Sequence, residues 1–362
     1  MSSRQRLLAA YRGQPVDRLP FWAKVTNPNW RLGQPERVRQ WSDPQLLDFI
    51  HADGIFGLPR FASIASPHAR LETTQNGYIR TTVIHTPDGD LISRWKMDPR
   101  TQSWHPAEFP VKTHQDLLRY RWVWTDPVME TDAQLFARAQ AIAQKLGDRG
   151  LTKTAWGTSP LMHLVEHIVG LEQTTYLLAD DPNQMDEVIE LMHAANTKLV
   201  KHLAHHSPAD VICSVENTST TLISPQQFQH YCYPHLCDYG RIIEHAGKMH
   251  ELHMCGHLFA LLPTIDTIPA ASVEAFTSPP IGNTRLVDGR RHAPAKTLVG
   301  GTNAVVWLKP LPKIQAYILA ELEAAPDHRR IVLTTAGEAP QGCPVETFQA
   351  IGRWIASLPV RM

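Results

Sequence analysis

A histidine and a cysteine stand two residues apart in Lys248-Met249-His250-Glu251-Leu252-His253-Met254-Cys255-Gly256. The run reads as a strand, and in a strand alternate side chains share a face, so the His253 imidazole and the Cys255 thiol point the same way. Neutral imidazole and thiolate are preferred ligands of zinc, with further ligands free to come from other strand ends. A two-ligand fragment also fits a buried cysteine beside a core histidine whose hydrogen bonds are satisfied, and spacing alone leaves both readings open. Gly256 follows, then Leu258, Phe259, Leu261, Leu262 and Ile265 at helical spacing, so the pair sits where a strand gives way to a helix. In a parallel α/β barrel that edge is the catalytic one.

Other residues compete for attention. Glu274 lies in a largely apolar strand, where an unpaired carboxylate is costly, so it needs a cation or a donor: a metal, or an arginine such as Arg285. Glu216 and Asn217 end another strand, and Gly300-Gly301-Thr302-Asn303 a third. The glycines there leave backbone amides uncovered for a substrate carboxylate or phosphate, or simply allow tight packing. His163-Leu164-Val165-Glu166-His167 fits the H-x-x-E-H pattern of inverted zinc proteases, but so short a pattern arises by chance in a chain with 19 histidines. Gly170 follows it without a clear third ligand. His202, His205 and His206 end a long helix, where imidazoles meet exposed carbonyls favourably.

These strand ends need a scaffold. From Asp132 onward long helices alternate with short apolar strands at Leu151 to Trp156, Asp210 to Val215, His250 to Cys255, Ser272 to Phe276, Thr297 to Gly301 and Ile331 to Thr335. Leu19 to Val25 and Gly54 to Arg60 bring the count to eight, the number of a (β/α)8 TIM barrel in one domain spanning 1–362. Two strand-like runs, Tyr78 to His85 and Leu91 to Met97, flank the turn Thr86-Pro87-Asp88-Gly89-Asp90 and predict an inserted β-hairpin. Basic and acidic residues balance at 35 each, which provides no field for nucleic acid or anionic lipid. No apolar run approaches membrane-span length, the N-terminus lacks a signal-peptide core, and five cysteines without paired spacing suit a reducing compartment. A cytoplasmic protein with small-molecule partners is expected.

The His253-Met254-Cys255-Gly256 run resembles the uroporphyrinogen decarboxylase superfamily. So do Glu216-Asn217, Leu222-Ile223-Ser224-Pro225-Gln226-Gln227-Phe228, Gly247-Lys248 and the N-terminal Arg4-Gln5-Arg6-Leu7-Leu8-Ala9-Ala10. Thr158-Ser159-Pro160, Ser278-Pro279-Pro280-Ile281-Gly282-Asn283, Gly300-Gly301 and Ala336-Gly337-Glu338-Ala339-Pro340 extend the likeness nearly end to end. That resemblance implies the barrel again, and two branches of chemistry. One branch decarboxylates a tetrapyrrole and uses an arginine-rich N-terminal segment to hold its carboxylates. The other uses zinc to move a methyl group between a corrinoid and a thiol or another acceptor.

The H-x-C pair is similar to the methyltransferase branch, and Trp22-Ala23-Lys24-Val25-Thr26-Asn27-Pro28 lacks the arginine cluster of the decarboxylases. The resemblance therefore implies zinc at His253 and Cys255, with methylcobalamin or another corrinoid, free or on a separate protein, as co-substrate. The family's second cysteine falls on Ala336, which binds no metal. Cys343 lies further along a Gly- and Pro-flanked loop and is the expected replacement, with Glu274 as an oxygen donor beside it. Glu216, Asn217 and Glu274 are the expected catalytic side chains, and Gly300, Gly301 and Asn303 the expected cofactor contacts. Decarboxylation and non-catalytic zinc binding are the two alternatives.

Overall fold

The computed structural model describes all residues from Met1 to Met362. Its centre is eight parallel strands: β1 (Phe21–Trp22), β2 (Gly54–Gly57), β3 (Gly150–Gly157), β4 (Val211–Val215), β5 (Met249–His253), β6 (Ser272–Phe276), β7 (Thr297–Gly300) and β8 (Ile331–Thr334). They hydrogen-bond in the order β1-β8-β7-β6-β5-β4-β3-β2, each beside its sequence neighbour except at the seam between β1 and β2, which gives a nearly closed (β/α)8 TIM barrel. All eight predicted strands are present, several of them shorter than their apolar runs.

The seam between β1 and β2 is fastened by one residue. Asp53 donates its backbone N–H to the Phe21 carbonyl at 2.6 Å and accepts the Phe21 N–H on its carboxylate at 3.0 Å. Two arginines, Arg6 and Arg18, neutralise that fully buried carboxylate. Helix Ser3–Arg12, opened by a Ser2/Gln5 capping box and closed by left-handed Gly13, carries Arg6 to the seam. The same helix plugs the bottom of the barrel. Leu7, Ala10 and Tyr11 pack on Ile55, Leu151, Val211, Val299 and Val332, and the Tyr11 hydroxyl donates to Glu251 at 2.7 Å. Outside the strands the helices bury one apolar stripe each. In Pro182–His206 that stripe includes Met185, Val188, Ile189, Met192, Leu199 and Leu203, the residues whose spacing predicts it.

The predicted hairpin is the middle of a larger insertion. Ile79–Thr86 and Gly89–Asp98 pair around Pro87-Asp88, and Arg70–Asn76 and Ser103–Glu108 extend them into a four-stranded antiparallel sheet. Every residue of Arg70–Asn76 is exposed, so that strand carries no inside–outside alternation to betray it. Ala62–Ala65 pairs with Val128–Thr131 on either side of the insertion. The sheet reaches the mouth of the barrel through Trp95, whose ring lies 6.1 Å from that of His167.

Candidate active site at the barrel mouth

The carboxyl ends of the strands bring six side chains into one line of contacts. β5 stops at His253, two residues earlier than the predicted strand, so Cys255 lies in the loop beyond it. The pair stays together nonetheless, because the amides of Glu216 and Asn217 both donate to the His253 carbonyl, at 3.0 and 2.9 Å, and fasten the end of β4 to the end of β5. Asn217 takes a left-handed φ of 47° and turns its side chain to bridge two neighbours. Its Oδ1 lies 3.4 Å from the Cys255 sulfur, and its Nδ2 donates to Glu166 at 2.9 Å.

On the other side of Cys255, the imidazole of His253 meets Glu274 through Nδ1. A register shift at Ala275, whose φ is 57°, interrupts β6 directly after Glu274. Such a bulge re-aims the preceding side chain, here inward. The second carboxylate oxygen of Glu274 accepts from Lys24 Nζ at 2.7 Å, and Lys24 also donates to the Ala336 carbonyl at 3.3 Å. The line therefore runs Glu166, Asn217, Cys255, His253, Glu274, Lys24. Cys255 is the exposed cysteine of the chain, and the other four are buried.

Charge balance follows from this geometry. Burial would push the Glu274 carboxyl up, but Lys24, Lys153 and His253 hold it well below the usual carboxylate range. Burial would likewise lower His253, and the adjoining Glu274 carboxylate outweighs it and raises the imidazole to about 9. Deeper in the barrel, Lys153 pairs with Glu251 at 2.8 Å, so these interior charges offset each other. Glu166 differs. Burial raises its carboxyl to about 7 against the lowering hydrogen bond from Asn217, with Glu216 raising it and His253 lowering it further.

Several predicted site residues stand elsewhere. Glu216 is fully buried and faces away from Cys255. It accepts from the Thr158 hydroxyl at 2.9 Å, from the Ser159 N–H at 2.7 Å and from the Ser159 hydroxyl, which ties the Thr158-Ser159-Pro160 turn to β4. The amide of Gly301 is spent on the Phe276 carbonyl at 2.9 Å, and a Cβ at Gly300 would come within 2.1 Å of that same oxygen, so these glycines serve packing. Asn303 is buried and uses its amide on Pro279, Ser278, Val305 and Val306. Arg285 pairs with Glu321, and Glu274 has Lys24 instead. Cys343 does not fold back over the mouth. Its thiol is buried in the apolar layer, where Trp30 and Gln34 hold its carbonyl, and burial alone pushes it up to about 12.

No three His, Cys, Asp or Glu side chains converge as a preassembled metal cage, neither His253, Cys255 and Glu274 nor His163, Glu166 and His167. Two members of the line, Lys24 and Glu166, are not among the side chains that the sequence marks for the site. Lys24 follows β1 directly, so the strand-end rule applied to the first barrel strand would have found it. Glu166 was visible only inside the H-x-x-E-H pattern. Its place at the mouth depends on a π-helical turn, Leu164–Ile168, which residue spacing does not reveal.

A barrel with chemistry gathered at the carboxyl ends of its strands defines the class of the molecule, and sequence comparison gives its family. Residues 123–357 match the model of the uroporphyrinogen decarboxylase (URO-D) family, which is more than half of the chain, and the chain belongs to that family. Among solved structures, a methyltransferase from Methanosarcina mazei superposes with a TM-score of 0.64 at 15% identity, over 98% of each chain, and this likeness is one of fold. A candidate vitamin-B12 independent methionine synthase from Listeria monocytogenes aligns at a TM-score of 0.38 and 14% identity, over 62% of this chain and 68% of that one, too weak a likeness to carry an argument. No protein of curated function matches the sequence.

Proposed function

We propose that this chain is a zinc-dependent methyltransferase that moves a methyl group between a corrinoid or methoxylated donor and a thiol or related acceptor. The observation that carries the reading is the run of Cys255, His253 and Glu274 at the barrel mouth, with the sulfur exposed and the ring in contact with a carboxylate. The donor chemistry fits zinc: a soft thiolate, an imidazole and a carboxylate, on neighbouring strand ends. His253, Cys255 and Glu274 would hold the metal, which when bound keeps a coordinating thiol in its thiolate form at neutral pH. The remaining work belongs to the chain. Lys24 holds Glu274 ionised and in place, and Asn217 fixes the orientation of the Cys255 side chain.

Decarboxylation of a porphyrinogen needs cations for several carboxylates, and the basic groups around the mouth are engaged. Lys24 is paired with Glu274, Lys153 with Glu251, and Arg60 donates to the Trp156 carbonyl at 2.7 Å. The zinc-loaded protein should transfer methyl from methylcobalamin to small thiols and release no carbon dioxide from uroporphyrinogen. Carbon dioxide release without methyl transfer would reverse the assignment.

A further inference from the structure

Between the ends of β2 and β3 the rim of the barrel holds a cavity of about 210 Å³, lined by none of the six side chains of the line from Glu166 to Lys24. Arg60 is the charged residue in its wall. His163 lies there too, but burial, with His167 beside it, holds that imidazole neutral, its pKa down at about 3. Arg60 donates from Nη1 to the Trp156 carbonyl at 2.7 Å, and its Nε and Nη2 donors have no protein partner. Two acids, Glu130 and Asp132, line an adjoining open groove that Arg60 shares. Neither forms an ion pair with it, and Asp132 is spent on the amides of Gln134 and Leu135. The cavity thus carries one positive charge and no negative one.

The rest of the wall is flat, apolar and fixed. Trp156, 2% exposed, donates its indole N–H to Ser214 at 2.8 Å and packs on Tyr239 with ring centroids 4.7 Å apart. Trp124 stands edge-on to His163 at 5.9 Å, and the His163 ring is tied to the Tyr120 hydroxyl at 3.2 Å. Leu199 and the buried Asn196, both on helix Pro182–His206, complete the wall with an apolar and a neutral polar group. Pockets for drug-sized ligands run to about 300–1,000 Å³, so the occupant here is small.

We propose that this cavity is a carboxylate subsite of the mouth, in which the Nε and Nη2 edge of Arg60 pairs with the carboxylate of a small aromatic acid whose ring lies against Trp124 and Trp156. That edge of a guanidinium matches the two oxygens of a carboxylate, and indole faces favour a planar body. One such cation serves one carboxylate, not the several of a porphyrinogen. The subsite belongs to the same rim as the exposed thiol. Thr158, in its wall, donates to Glu216 at 2.9 Å, and the next residue, Asn217, lies 3.4 Å from the Cys255 sulfur.

Isothermal titration calorimetry with benzoate, and with benzamide as its neutral isostere, tests the assignment. Benzoate should bind at one site per chain, with equal affinity in zinc-loaded and chelator-treated protein, and benzamide at least about 10-fold more weakly. Arg60→Met should weaken benzoate about 10- to 100-fold, and Arg60→Lys less, since it keeps the charge without the fork. Ser63→Phe, which fills the cavity and leaves the cation, should weaken benzoate as well. Equal binding of benzoate and benzamide, or wild-type affinity in Arg60→Met or Ser63→Phe, would overturn the proposal. So would binding that requires zinc, which would put the carboxylate on the metal, or equal affinity for inorganic phosphate, which would make Arg60 an indiscriminate surface cation. None of these outcomes touches the methyl-transfer reading, which the subsite adds to and does not need.

Discussion

Lys24 is the residue on which the charge of the mouth depends, because it pairs with a carboxylate that burial would otherwise neutralise. Removing one partner of a buried pair strands the other, so Lys24→Met should cost about 3 kcal/mol in urea denaturation at neutral pH. The held-down carboxyl of Glu274 contributes stability above its unfolded pKa and loses it as pH falls through the folded value. The Lys24→Met penalty should therefore shrink in acid. Cys343→Ala should behave differently: a loss of about 1–3 kcal/mol from the buried layer, with metal content unchanged. The spacing of His253 and Cys255 was legible because a two-residue period is a local property of extended chain. The place of Cys343 was not, since a loop long enough to reach the mouth is equally able to bury its thiol, and Trp30 and Gln34 decide between them from far away in sequence.

At the level of elements, eight short, largely apolar runs between helical stripes were enough to give the barrel, because most residues of each strand are buried and the runs lack the regular inside–outside alternation of a one-faced sheet. How the ring closes was hidden. The seam depends on Asp53, whose pairing with Arg6, Arg18 and the Phe21 backbone joins segments that sequence reading treats separately. Asp53→Ala should destabilise the fold by about 3–5 kcal/mol, read from the shift of the chemical denaturation midpoint at constant slope. At the opposite end of the same barrel, Gly300→Ala drives a methyl group against the Phe276 carbonyl and should cost about 3 kcal/mol, a packing defect with no effect on zinc stoichiometry in the protein that folds. The outer strands of the insertion escaped notice for the opposite reason to the barrel strands: with one fully exposed edge, nothing in their pattern distinguishes them from loop.

Across the whole molecule the formal charge is zero, so its pH response comes from individual buried groups. Glu166 binds its proton more tightly folded than unfolded, so its contribution is fully present below the unfolded pKa and is lost as pH rises through about 7. Glu166→Gln should flatten the fall in stability between about pH 5 and 8, an effect on the order of 3 kcal/mol seen in denaturation curves across that range. No helix is long and apolar enough to cross a membrane. The barrel thus presents one chemically loaded mouth, and the central claim is that His253, Cys255 and Glu274 there hold zinc through a single sulfur. Zinc-edge X-ray absorption on the loaded protein tests it most directly. The expected spectrum has one sulfur with nitrogen and oxygen donors, loses that sulfur in Cys255→Ala and is unchanged in Cys343→Ala. Two sulfurs in the wild type, or a sulfur that survives Cys255→Ala, would contradict it.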